Sequence, residues 1–87
     1  MAAYKIFFKA SVEKDFRAIP QKDARRILQR IKSLALDARP RGCEKLTGQE
    51  RYRIRQGAFR IVYSIQDYAL TVWIVKIASR KDVYRSK

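Results

Sequence analysis

The sequence predicts an α+β fold: an N-terminal strand, two helices, then a mostly antiparallel twisted sheet, with the helices on one face and a short C-terminal tail or helix. Three observations predict it. An apolar stripe with helical spacing runs through residues 24–35. Three segments rich in aromatic and β-branched residues fill much of 52–77, with links too short for anything but antiparallel pairing. The chain has 87 residues, 47% of them hydrophobic, which suits one core and a single domain over 1–87.

Each element has its own signal. Residues 4–8 (YKIFF) are a short run of strand formers. Ser11 is the expected N-cap of the first helix, with Glu13 and Asp15 in its first turn and Val12, Phe16 and Ile19 at helical spacing. Pro20 closes that helix and is able to open the next. In the second helix Ala24, Ile27, Leu28, Ile31, Leu34 and Ala35 form the stripe. Lys22, Arg25, Arg26, Gln29, Arg30 and Lys32 fill the other face. Pro40 and Gly42 are expected to stop it, inside a loop over 39–48. Strands are expected at 52–56, 59–65 and 70–77, and a tail over 80–85 is expected to turn back over the sheet.

Charge narrows the function. There are 21 Lys and Arg against 8 Asp and Glu, a net charge of +13. So much positive charge on a small domain repels itself, and an anionic partner relieves the repulsion. Nucleic acid is the commonest such partner; the bland alternative is a basic domain with a merely solvated surface. The one cysteine, Cys43, excludes an internal disulfide, which fits a reducing cytoplasm. With no histidine in the chain, Cys43 lacks the usual base of a nucleophilic thiol and paired-histidine ribonuclease chemistry is excluded. No apolar run approaches the ~18 residues of a membrane span, and the N-terminus lacks signal-peptide form. The carboxylates are scattered, no spacing resembles a metal motif, and no Gly-rich phosphate loop is present. No metal or cofactor is expected.

Gly57-Ala58 lies between two strand segments, and glycine at the first position of a two-residue loop suits a type II′ turn. That turn sets Gln56 across from Phe59, Arg55 from Arg60, Ile54 from Ile61, Arg53 from Val62 and Tyr52 from Tyr63. Opposed residues share a face. One face then carries Tyr52, Ile54, Phe59, Ile61 and Tyr63, suited to the core. The other carries Arg53, Arg55 and Arg60 beside Val62. Like charges placed opposite each other cost stability, but converging arginines are what a phosphate site requires. A randomly charged, solvated sheet face is the competing explanation.

The strings KLTGQERYRIRQGAFRIVYSI and IVKIASRKDVYR resemble the RelE/ParE toxin superfamily, and its RelE type in particular, over nearly the whole chain. The resemblance implies a microbial-ribonuclease-like sheet. It also implies the toxin half of a type II toxin–antitoxin system: a metal-independent endoribonuclease that cleaves messenger RNA in the ribosomal A site through the 2′-hydroxyl and so inhibits translation. Arg60, Arg80 and Tyr84 match the catalytic positions; Arg53 and Arg55 match strand positions that grip RNA, and Lys81 and Arg85 add cationic donors in the same tail. Arg60 and Arg55 would stabilise charge on the phosphate, and Arg80 would hold the phosphate or the leaving oxygen. Tyr84 would be a base or a stacking ring; among the residues that the resemblance places at the site it is the only one suited to act as a base. The family's usual strand lysines are arginines here, and Ser79 stands where many relatives have histidine. The implied partners are a cognate antitoxin, in a toxin–antitoxin hetero-oligomer, and the ribosome with its message. The alternatives are a ParE-like inhibitor of DNA gyrase and a non-catalytic RNA-binding module.

Overall fold

The computed structural model describes residues 3–46, 48 and 50–79. Its elements are β1 (Lys5–Phe8), α1 (Ala10–Arg17), α2 (Gln21–Ser33), β2 (Glu44–Lys45), β3 (Arg51–Gln56), β4 (Phe59–Gln66) and β5 (Thr71–Ser79). A 3-10 turn, Asp67–Ala69, joins β4 to β5. The five strands lie in the order β1-β5-β4-β3-β2. The β2–β3, β3–β4 and β4–β5 pairs are antiparallel. The β1–β5 pair is parallel, because both helices intervene between β1 and the rest of the sheet. The expected α+β architecture therefore stands.

The core lies between the helices and one sheet face. Val12 of α1 and Ile27, Ile31 and Leu34 of the α2 stripe are fully buried, as are Ile61, Tyr63, Val72 and Ile74 of the sheet. Leu28, on the rim of the stripe, stays 37% exposed. A buried phenol needs a partner, and the Tyr63 hydroxyl donates to the Ala38 carbonyl at 2.8 Å, fixing the loop after α2 against the sheet. Burial, with Cys43 nearby, pushes the Tyr63 phenol well above its usual range. No helix among the described residues is long and apolar enough to cross a membrane.

Several expected boundaries move, each for a tertiary reason. Ser11 is not the N-cap; α1 begins at Ala10, with Lys9 as its extended cap residue. The Lys9 amide extends the β1–β5 ladder by donating to the Ile74 carbonyl at 3.0 Å, and the Lys9 carbonyl accepts the Val12 amide at 2.9 Å. The chain thus passes from strand to helix without needing a side-chain cap. Asp15 accordingly lies beyond the first turn. Its carboxylate accepts the Ile77 amide at 3.1 Å and lies 3.7 Å from the Lys76 ammonium, covering the part of β5 that β1 is too short to pair. The second helix ends at Ser33, well before Pro40. Its last turn tightens through Leu34→Ile31 and Leu36→Ser33 bonds, and the Ala35 carbonyl is taken by the Tyr4 amide at 2.8 Å. Leu70 is not a strand residue: it has φ +47 at the end of the 3-10 turn. The 39–48 loop also contains the short strand β2.

One polar network fastens the end of the sheet where β1 begins. Arg39 donates to both carboxylate oxygens of Asp67, at 2.9 and 3.2 Å, and its Nε donates to the Tyr52 hydroxyl at 3.2 Å. The Tyr4 hydroxyl donates to Asp67 at 2.6 Å. Arg39 first, then Tyr4, pulls the Asp67 carboxyl down to about 2.

Candidate RNA-binding cleft

The β3–β4 hairpin builds the site. Gly57 has φ +62 while Ala58 is not left-handed, the backbone pattern of a II′ turn. The register is the expected one, with Arg55 paired to Arg60, Arg53 to Val62 and Tyr52 to Tyr63. Ile54, Ile61 and Tyr63 are buried, whereas Arg55 is exposed and Arg53 and Arg60 are half-buried on the opposite face. Alternation along two strands thus turns a core-facing pattern into an outward arginine cluster.

Gly42, Glu44, Arg53, Ile54, Arg55 and Arg60 line a cleft of about 290 Å³. A smaller recess of about 110 Å³ lies at the turn, between Arg55, Gly57, Ala58, Phe59 and Arg60. Among the described residues neither Arg55 nor Arg60 has an ion-pair partner. Two unneutralised guanidiniums across one strand pair make a site for an oxyanion, since each presents a fork of donors matched to phosphate oxygens.

Glu44 was not foreseen in the site. β2 pairs it with Arg53, whose guanidinium donates to its carboxylate. That bond holds the Glu44 carboxyl below its usual range, and the nearby charges of Arg55 and Arg60 add to the effect. The cleft therefore holds a carboxylate, ionised at neutral pH, beside the arginines. β2 has only two residues, too few for any periodic pattern to reveal.

Of the residues expected from sequence, the hairpin brings Arg53, Arg55 and Arg60 together. Arg80, Lys81, Tyr84 and Arg85, with the expected fold-back of the tail, lie outside the described residues. Ser79, the last described residue, pairs with Phe59, next to Arg60 in β4.

Two helices on one face of a five-stranded mixed sheet, with an arginine-lined cleft on the other, define the class: a small α+β domain with a basic sheet face. Residues 6–84 match the family model for the ParE toxin of the type II toxin–antitoxin system parDE. The chain belongs to this toxin family, within the RelE/ParE superfamily. Solved structures that it resembles include RelE toxins. The archaeal RelE of the RelE–RelB complex from Pyrococcus horikoshii OT3 is 27% identical, with 90% of this chain and 96% of that one covered at a TM-score of 0.81. The toxin–antitoxin complex RelBE2 from Mycobacterium tuberculosis aligns at 22% identity, covering 94% and 97%, with a TM-score of 0.83. The isolated E. coli RelE toxin aligns at 22% identity, covering 94% and 92%, with a TM-score of 0.77. No curated protein sequence matches the chain.

Proposed function

We propose that this toxin is a metal-independent endoribonuclease, a single domain over 1–87, that cleaves messenger RNA in the ribosomal A site in the cytoplasm. The observation that carries the reading is the pairing of Arg55 with Arg60 on an open sheet face, beside a carboxylate. Attack by the 2′-hydroxyl on the adjacent phosphorus forms an O–P bond, expels the 5′-oxygen and leaves a cyclic phosphate. Negative charge grows on the non-bridging oxygens during attack. Arg60 and Arg55 are assigned to that charge, and such preorganised stabilisation is usually the largest single contribution to catalysis.

The attacking hydroxyl must lose a proton. Glu44 is assigned that proton in place of Tyr84, because it lines the cleft as a carboxylate. Arg53 positions it. In the free protein the arginines make it a weak base. A bound phosphate offsets their charge, which weakens the pull that holds the Glu44 pKa down. Arg80 follows Ser79 in sequence and is assigned to the phosphate or the leaving oxygen. Tyr84 is assigned to base stacking, with Lys81 and Arg85 adding charge along the RNA.

The partners proposed are the ribosome with its message and a cognate antitoxin that silences the toxin in a hetero-oligomer. The similar structures from Pyrococcus horikoshii and Mycobacterium tuberculosis are toxin–antitoxin complexes. An acidic or amphipathic antitoxin segment would complement the charge of +13. A second reading, inhibition of DNA gyrase, is favoured by the ParE name of the family model. One experiment separates them: the purified toxin is added to a translation extract and to a supercoiling assay. New message ends mapped by primer extension, with supercoiling intact, support cleavage. Lost supercoiling with intact message refutes it.

A further inference from the structure

The arginine cleft occupies only one end of the outward sheet face. At the other end stands an aromatic pair. Phe7 of edge strand β1 stacks on Trp73 of β5, with ring centroids 5.0 Å apart and planes 28° from parallel. The Lys9 ammonium sits 4.9 Å from the centre of the Trp73 ring. Register puts these rings on the arginine face. Phe7 pairs with Trp73 and Trp73 with Ser64. Ser64 alternates with the buried Tyr63 and Ile65, as Arg60 does with the buried Ile61.

Phe7 is 43% exposed although it is a large apolar ring on an edge strand. Such a ring is a liability for strand addition unless something uses it. Its setting selects what that is. Lys5 shares its face of β1 and Lys9 follows at the next outward position, whereas Lys76 on β5 is already paired with Asp15. The segments β1, β4 and β5 contain no acidic residue. Flat rings among cations, with no carboxylate on the strands, fit single-stranded nucleic acid, whose bases stack while its phosphates meet the lysines. Four residues along β4 and two strand spacings separate Phe7 from Arg60, about 16 Å in all. A strand lying over both sites needs only a few nucleotides.

We propose that the Phe7–Trp73 stack is a second RNA subsite, where a base flanking the phosphate in the arginine cleft stacks on the free face of Phe7, with Lys5 and Lys9 holding the adjoining backbone. This rests on the reading of the cleft as an RNA site and adds the path that the strand takes across the sheet.

The test compares two dodecamers on the full-length protein. One is oligoadenylate with every 2′-hydroxyl methylated, so that it cannot be cleaved; the other has the same phosphates with abasic sugars. Wild type should bind the oligoadenylate about tenfold more tightly than the abasic strand, as one stacked base supplies. Phe7→Leu keeps an apolar side chain in β1 but removes the flat ring, and should lose most of that preference. Arg60→Leu should weaken both strands alike. Trp73 is the only tryptophan, so its emission should change with oligoadenylate and not with the abasic strand. A preference that survives intact in Phe7→Leu, or Trp73 emission unmoved at saturation, overturns the platform. If wild type binds both strands equally, the platform fails and the cleft survives. If it binds neither, the RNA reading of the cleft fails with it.

Discussion

Replacing Arg60 with leucine should make the free protein more stable, which is unusual for a half-buried position. The Gly57-Ala58 turn makes Gln56–Phe59 a hydrogen-bonded pair and Arg55–Arg60 the next, non-hydrogen-bonded one. Their Cβ atoms are then about 5 Å apart. If the guanidiniums splay to about 7 Å in water-like dielectric, the unscreened repulsion is about 0.6 kcal/mol. Arg53 and Glu44 form an ion pair beside them and largely cancel. Screening leaves about 0.5 kcal/mol at 0.01 M salt and about 0.25 kcal/mol at 0.15 M. For a domain this size those values correspond to a Tm gain of about 2–4 °C and 1–2 °C. The assay is thermal unfolding in chloride at the two salt concentrations, repeated in sulfate at equal ionic strength. A sulfate bound between the arginines should stabilise wild type by about 0.4 kcal/mol at its Kd and about 2.7 kcal/mol at a hundredfold excess. Salting-out by sulfate acts on both proteins, so the informative quantity is the difference between them. An equal sulfate increment in wild type and Arg60→Leu would refute the shared anion site.

Four further outcomes follow from the structure. Glu44→Gln should leave RNA binding equal or tighter, because it removes a negative charge from the cleft, while lowering the single-turnover cleavage rate at least a hundredfold. Tyr84→Phe should cleave at near the wild-type rate, and the opposite pattern would make Tyr84 the proton acceptor. For acid stability, the folded-state pKa of Asp67 is about 2, below the ordinary 3.8. Its contribution is therefore present above the ordinary value and is lost as pH falls through 3.8 toward 2; Asp67→Asn should flatten that part of the stability–pH curve measured by urea unfolding. Tyr63→Phe leaves the buried Ala38 carbonyl without its donor, so the urea midpoint should fall by an amount equivalent to about 1–3 kcal/mol with the m-value unchanged.

The hairpin was the most legible part of the sequence. Glycine at the turn and strict alternation of Ile54, Ile61 and Tyr63 with Arg53, Arg55 and Arg60 allow one register, since a one-residue slip would bury the arginines. The α2 stripe was legible for the same reason: Ile27, Ile31 and Leu34 repeat at the helical period and are buried together. Features made by long-range partners were not legible. The end of α2 depends on a bond from Tyr4, and Asp15 finds its partners on β5. Glu44 enters the site through a two-residue strand paired with β3, a contact that no local pattern encodes.

On this reading the arginine cleft drives attack by the message's own 2′-hydroxyl. The most direct measurement is single-turnover cleavage on ribosomes programmed with a message carrying one 2′-deoxynucleotide at the mapped cut site. The ribosomes are kept intact with magnesium, and the toxin is treated beforehand with EDTA. Cleavage of the all-ribose message at full rate, its loss at the deoxy position and a deep fall in rate with Arg60→Ala are the results predicted. Undiminished cleavage of the deoxy-substituted message, or an Arg60→Ala toxin that keeps its single-turnover rate, would contradict the account.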